Sequence, residues 1–197
     1  MAAAPAAAGK GTVKAMSGVK TDAVLYSQND NDGGTGVTSQ NFEASFDIYD
    51  NSGADDFKVP KGTSWKVSSV DVTGVYYNGS GPAASEHVTF YADAGGLPGA
   101  AVADFPASAG TDSGGSFSMP VKAKLKKGTY WVGVQANMDF AIGGQWGWEV
   151  RSVQAGNGAA WQNPGDGFGS GCTTWGSLQT CLGYGPDFMF ALNGKAK

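Results

Sequence analysis

Charged side chains make up only 15% of the 197 residues, well under the ~25% of an average soluble domain. Arginine is nearly absent: Arg151 stands alone beside twelve lysines. Leucine is sparse and glutamate occurs only as Glu43, Glu86 and Glu149. With so few helix formers, a helical bundle, a coiled coil and a Rossmann-type α/β domain are all disfavoured. No apolar run approaches the ~20 residues of a membrane-spanning helix, so no membrane insertion is expected. The net charge is −4, which argues against a nucleic-acid partner, since such proteins usually carry a basic face.

His87 is the only histidine. A Ser-His-Asp triad needs a nucleophile, a base and an orienting acid, and the chain has no Gly-x-Ser-x-Gly elbow. His-Glu-x-x-His, P-loop and dinucleotide motifs are absent as well. Glu149 follows Trp146-Gly147-Trp148. An aromatic neighbour can raise a carboxyl pKa by desolvation, as a glycosidase acid requires. The alternative is a strand carboxylate paired with a lysine or with Arg151. The expectation is a protein without catalytic activity, with a carbohydrate-active enzyme as the remaining enzymatic reading.

What the chain does have is glycine, 32 residues, about twice the usual share of ~7%, together with Val, Thr, Ser and aromatics. These are strand and turn formers. Short strands are expected at Ala23–Gln28, Glu86–Ala92, Ala100–Phe105, Ser116–Val121, Trp146–Val153 and Phe188–Leu192. Thr129–Met138 alternates most clearly, with Tyr130, Val132, Val134, Ala136 and Met138 on one face. Asn29–Gln40 reads as a polar loop. In Asn41–Tyr49, Phe42 and Phe46 share both a strand parity and a helical face. Asp56–Val59 leads into a turn at Pro60-Lys61-Gly62. Ser64–Tyr77 changes phase, with Trp65 and Val67 on one face and Val70 and Val72 on the other. That pattern marks a β-bulge or a strand that serves two layers. Strands at this spacing predict an all-β fold, an antiparallel, jelly-roll-like β-sandwich with long Gly/Trp-rich loops. It would occupy residues 21–197 as one domain, after a flexible tail or linker at 1–20.

Cys172 and Cys181 bracket a short loop rich in Gly and Thr. An even count at this spacing fits a local disulfide and an oxidising compartment. With one histidine in the chain, a zinc site lacks ligands. The opening residues, Met-Ala-Ala-Ala-Pro-Ala-Ala-Ala-Gly-Lys, have no hydrophobic stretch and are not a signal peptide. They read as the start of a mature, exported chain whose signal peptide has been removed, which places it outside the cell or at its surface.

Two regions are candidate binding sites. The first half is acidic: residues 21–117 hold 13 acids and 3 lysines. Asp30, Asp32, Asp55 and Asp56 are candidate calcium ligands, against the alternative of a solvated acidic surface. Gln28-Asn29-Asp30-Asn31-Asp32-Gly33 alternates like a calcium loop, but it opens on Gln and has Ser39 where an EF-hand closes on Glu. No cofactor is required by this reading; calcium is the one considered. The second region is aromatic. Trp146, Trp161 and Trp175 lie among Gln162, Asn163 and Asp166. Flat rings stack on sugar faces while amides and carboxylates bond hydroxyls. The alternative is that each Trp simply packs a loop over the end of the sandwich. At least one of Trp161 and Trp175 is expected at the surface.

Several segments together carry a resemblance. They are Ala54-Asp55-Asp56-Phe57-Lys58-Val59-Pro60 followed by Trp65; Phe90-Tyr91-Ala92-Asp93 followed by Gly96-Leu97-Pro98-Gly99; and Gly128-Thr129-Tyr130-Trp131-Val132. Gly144-Gln145-Trp146-Gly147-Trp148 and Ala160-Trp161-Gln162-Asn163-Pro164 complete them. From about Ala23 to Asn193 the chain resembles a β-sandwich module of exported bacterial proteins, found alone or appended to secreted proteases and surface proteins. The resemblance brings no established activity with it and transfers no catalytic residues. The expected function is a secreted or cell-surface binding module with a glycan as ligand. The alternative is a calcium-stabilised structural or adhesive module that binds a host or cell-surface protein.

Overall fold

The computed structural model describes residues 22–197; the tail expected at 1–20 lies outside them. The first strands are β1 (Ala23–Ser27), β2 (Asp32–Thr38), β3 (Gln40–Asn41), β4 (Ser52–Val72), β5 (Gly74–Tyr77), β6 (Ser85–Asp93) and β7 (Pro98–Ser108). They are followed by β8 (Thr111–Ser113), β9 (Ser116–Asn137), β10 (Gln145–Arg151), β11 (Ala160–Gln162), β12 (Gly176–Ser177), β13 (Asp187–Phe188) and β14 (Phe190–Ala196). Among the described residues, helix is confined to a 3₁₀ segment at Ala44–Tyr49 and two short α-helices, α1 (Phe140–Gly143) and α2 (Leu178–Leu182). The protein is an all-β sandwich of two antiparallel sheets. The larger runs β1-β14-β4-β9-β6-β7, with β11 and β12 continuing from β4 and β3 and β8 beside β9. The smaller is centred on β10, flanked by β2, β5 and β13. A two-residue parallel contact, Gln40–Asn41 beside Ala136–Asn137, departs from the antiparallel pairing.

The phase change has both of its expected causes. Register slips between Val67 and Ser69 opposite β9, a bulge that turns Val70 and Val72 inward after Trp65 and Val67. The chain then leaves the larger sheet at Thr73, and β5 pairs with β10 in the smaller one. The turn expected at Pro60-Lys61-Gly62 is a bend inside the continuous strand β4. Register slips there between Val59 and Ser64, and Gly62 takes φ +84°. Phe57 and Trp65 are eight positions apart, about 26 Å in an extended strand, yet their rings stack with centroids 6.0 Å apart.

Two local expectations change. Within Asn41–Tyr49 the helical spacing prevails over the strand parity, and Ala44–Tyr49 forms the 3₁₀ segment. The loop expected at Asn29–Gln40 contains β2, hidden by its glycines. A Cβ on Gly36 would stand 2.7 Å from Val75 and 3.3 Å from the Gly147 Cα. A glycine lets β2 lie this close to the Val75 side chain of β5 and to β10.

Aromatics fill the core in place of missing leucines. Phe117, Trp146, Trp148 and Phe188 form a stack with successive centroids 4.8, 6.4 and 4.6 Å apart. The buried indole N–H groups find carbonyls: Trp146 donates to Gly115 (2.7 Å), Trp148 to Met189 (2.8 Å) and Trp161 to Thr38 (2.9 Å). Such pairing removes the cost of burying the donor.

Cys172 and Cys181 are joined as a disulfide. It fastens the segment carrying β12 and α2 beneath β11, with Leu178 and Cys181 buried. For a loop this short the cross-link is expected to stabilise by about 2–3 kcal/mol. Urea denaturation with and without reductant measures this: reduction should lower the midpoint. An unchanged midpoint would show that packing alone holds the segment.

Candidate functional site

Strand parity divides the residues of the Gly/Trp-rich stretch. Ala160 pairs with Ala54, Trp161 with Gly53 and Gln162 with Ser52. Gly53 faces inward, since a Cβ there would meet the Phe188 ring at 2.8 Å. Trp161 therefore points into the core and is 0% exposed, while Gln162 points outward. Trp161 is thus not a surface platform. Trp146 is likewise 0% exposed, inside the aromatic stack. Asn163 is buried for a structural purpose: its amide donates to the carbonyls of Ile48 and Asp50, both at 2.8 Å, and its oxygen accepts from Phe168 N–H. Asp166, at φ +54°, caps the same loop by accepting from Gly171 N–H. Trp161, Trp146 and Asn163 thus build the core and the loop over it instead, while Asp166 is half-buried in that loop. The sequence signals of Trp and Asn are the same for either role; what separates them is which side of β11 meets the second sheet.

Gln162 and Trp175 do lie on the outer face of the larger sheet. Trp161 pairs with Gly176, which sets Trp175 beside Gln162 in register. Trp175 is half-buried, edge-on to Tyr91 with centroids 5.6 Å apart. Together with Leu97 these two rings cover a small cluster of Ala54, Trp131 and Ala160. Paired residues of antiparallel strands share a face, and this outer face has a floor of small residues. Thr89 pairs with Gly133, Gly133 with Ala54, and Ala54 with Ala160. The Tyr91 ring rests on Gly133, where a Cβ would stand 3.0 Å from it. Beside this floor His87, Gln135, Ser52 and Gln162 form a polar row. A cleft of about 70 Å³ opens between Ser52, His87, Thr89, Tyr91 and Gln135.

Asp104, paired with Thr89 across β6 and β7, anchors the polar end. Its Oδ1 accepts from the Thr89 hydroxyl and lies against His87 Nε2, both at 2.7 Å. Partial burial opposes the Asp104 charge, but the bonds from Thr89 and His87 outweigh it and hold its pKa below the ordinary value. Burial, followed by the Asp104 charge, raises the Tyr91 phenol pKa against an opposing hydrogen bond with Thr89. His87, Thr89 and Tyr91 are legible in the sequence as a polar face opposite buried Val88 and Phe90. Their link to Asp104, Gln135 and Ser52 comes only from the strand pairing.

Two other depressions differ in chemistry. A groove of about 570 Å³ between β7 and β9 is lined mostly by apolar residues, among them Phe105, Pro106 and Pro120. A pocket of about 210 Å³ is walled by Phe42, Phe46, Tyr49, Phe140 and Phe168 with Gln145. The Gln145 oxygen already accepts from Asn78 Nδ2 at 2.7 Å.

The four expected metal ligands are not gathered. Asp30 accepts from Arg151 Nη2 at 2.6 Å and from its Nε. Asp32 accepts from Gly34 N–H. Asp56 accepts from the backbone and side chain of Asn157. Asp55 is fully buried, its carboxylate accepting from Gln28 Nε2, Phe188 N–H and Asp56 N–H. Among the described residues no group of three or more His, Cys, Asp or Glu side chains is placed to hold a metal ion. Arg151 pairs with Asp30 and, at 3.5 Å, with Asp187, so the Glu149–Arg151 pair, one alternative for that carboxylate, is not formed. Burial first, then the nearby Asp32 charge, raises the Glu149 pKa.

No protein-family model matches the chain, and no curated protein matches it. Among solved structures, the chain is similar to the crystal structure of the cysteine protease and lectin-like domains of Cwp84, a surface layer associated protein of Clostridium difficile. The identity is 14% and the TM-score 0.49 over 75% of this chain and 32% of that one. The chain therefore spans about a third of that protein's length.

Proposed function

We propose that the protein is a non-catalytic, extracellular binding module whose outer sheet face takes a glycan. One observation carries this reading: Tyr91 and the disulfide-anchored Trp175 lie over the small residues of the outer sheet face, next to a cleft bordered by Ser52, His87, Thr89 and Gln135, with Gln162 paired to Ser52 and Asp104 bonded to Thr89 at its edges. Rings for sugar faces and hydrogen-bonding groups for hydroxyls meet on rigid strands, which holds them with little entropic cost on binding. The disulfide fits an oxidising location. The absence of catalysis is supported by the His87 geometry. Its Nε2 meets both Asp104 and Thr89, at 2.7 and 3.2 Å, whereas a triad uses one ring nitrogen for the acid and the other for the nucleophile.

A glycan array is the test. Trp175→Ala and Gln135→Ala are each expected to abolish retention of the glycan bound by wild type, at a stability cost of no more than about 2 kcal/mol for these partly exposed positions. Retention unchanged in both variants would overturn the site. Release of reducing sugar from a bound polysaccharide would overturn the non-catalytic reading.

A second reading, adhesion to a protein, is favoured by the aromatic pocket near α1. Phe140 and Phe168 in its wall are 37 and 39% exposed, and exposed aromatic side chains grouped in this way suit a protein partner.

A further inference from the structure

Half of the chain's twelve lysines lie on one face of three neighbouring strands. Lys66 on β4 is directly opposite Lys124 on β9 and directly opposite Lys195 on β14. Lys122 and Lys126 flank Lys124, alternating with buried Val121, Ala123 and Leu125. Lys197 is level with Ser64, to which it is joined by two backbone hydrogen bonds, and Ser64 in turn pairs with Lys126. All six side chains are exposed. Strand spacing of ~4.8 Å and ~6.8 Å between alternate residues confines them to a grid of roughly 10 by 14 Å. A groove of about 350 Å³ runs among Lys66, Lys122, Lys124 and Lys195.

The grid has little to neutralise it. Among the described residues one acid reaches it, Asp22, at 3.4 Å from Lys195. Residues 1–21 contain no Asp or Glu to add. Asp71, further along β4, is bound by Ser118 and Asn193. The Lys66 pKa is lowered, first by Lys197 and further by Lys124 and Lys195. Like charges directly opposite across strands are destabilising. Here they occur on both sides of one residue, in a chain whose net charge is −4.

We propose that this face binds an acidic polysaccharide, a linear chain with carboxylate, sulfate or phosphate groups at regular spacing. Lysines are compact point charges on flexible stems, so a ladder of them suits repeated single anions rather than one bidentate group. The groove lining contains no aromatic ring, which removes the stacking platform that single-stranded nucleic acid uses. It also lacks the large apolar side chains with which a surface element enters a bilayer. This surface lies apart from the Tyr91–Trp175 cleft, and its test does not depend on that site.

Polygalacturonate is the probe, with its uncharged methyl ester, a DNA duplex and phosphatidylserine vesicles as comparisons. Wild type should retain polygalacturonate at about 50 mM salt and lose affinity about tenfold at about 200 mM, as screening requires. Lys66→Thr/Lys124→Thr/Lys195→Thr should abolish binding. Lys58→Thr/Lys61→Thr/Lys127→Thr changes net charge equally and should leave it intact. Lys66→Thr alone should raise Tm by about 1–3 °C as the cross-strand repulsion is relieved. That gain separates a lost site from a lost fold. The proposal is overturned by no retention at the lower salt, by equal loss in the two triple variants, by equal binding of the methyl ester, or by tighter binding to DNA or vesicles.

Discussion

Alanine at Trp161 is expected to destabilise the protein by about 3–5 kcal/mol, the cost of removing a large buried ring. The side chain is 0% exposed, its indole donates to the Thr38 carbonyl and its ring meets Phe168 at 6.0 Å between centroids. The substitution leaves a cavity and strips that carbonyl of its donor. At ~2–4 °C per kcal/mol for a domain of this size, Tm should fall by about 6–20 °C. Trp175→Ala should cost far less, because that ring lies half-buried on the outer face of the same sheet. Calorimetry of the two variants side by side decides the matter. Equal losses would mean that the parity of β11 is not as described.

The protein is also expected to melt higher at pH 5 than at pH 7. Asp55 and Asp187 are both fully buried between the sheets. Burial, followed by the Asp187 charge, raises the Asp55 pKa well above its ordinary value. Burial raises Asp187 to about 6, with Asp56 adding to the shift and Ala155 N–H and Arg151 opposing it. Asp187 Oδ1 is buried without a hydrogen-bond partner, so no donor offsets the charge at that oxygen. Asp30, Arg151 and the Tyr26 phenol, itself pushed up to about 12 chiefly by burial, complete the titratable groups around the pair. Between the ordinary value of 3.8 and about 6, the folded chain binds more protons than the unfolded one. The stability from this group is therefore fully present below about pH 4, falls as pH rises to about 6, and levels off once Asp187 is ionised; Asp55 extends the fall upward. The Asp187 shift corresponds to roughly 3 kcal/mol over the whole range, of which about 1–1.5 kcal/mol falls between pH 5 and pH 7, or about 2–6 °C in Tm. Asp104, Asp22 and Glu43 are shifted the other way, but Asp104 and Asp22 are exposed and Glu43 half-exposed, so solvent screens them, and they act near and below about pH 4. Thermal scans at constant ionic strength measure the trend, and Asp187→Asn should flatten it. A wild-type Tm that climbs steadily from pH 5 to pH 7 would refute the assignment.

The strand-forming composition, the alternation in β6 and β9, the cysteine pair and the phase change in Ser64–Tyr77 are local properties, and each was legible in the sequence. They follow from side chains that alternate with period two and from loops rich in Gly. Strand β2 was not legible, because its glycines are selected by contact with β10 rather than by strand propensity. The candidate site was legible in part. Trp175 and Gln162 were found, but Trp161, Trp146 and Asn163 have the same composition signal and lie inside. Parity along a strand says which residues share a face; it does not say which face meets the second sheet. That choice was made by the packing of Phe188 against Gly53, residues far apart in the chain. The lysine grid has the same origin. Lys66, Lys124 and Lys195 become neighbours only through strand pairing, because charge density on a sheet is set by register between distant segments and not by the order of residues along the chain.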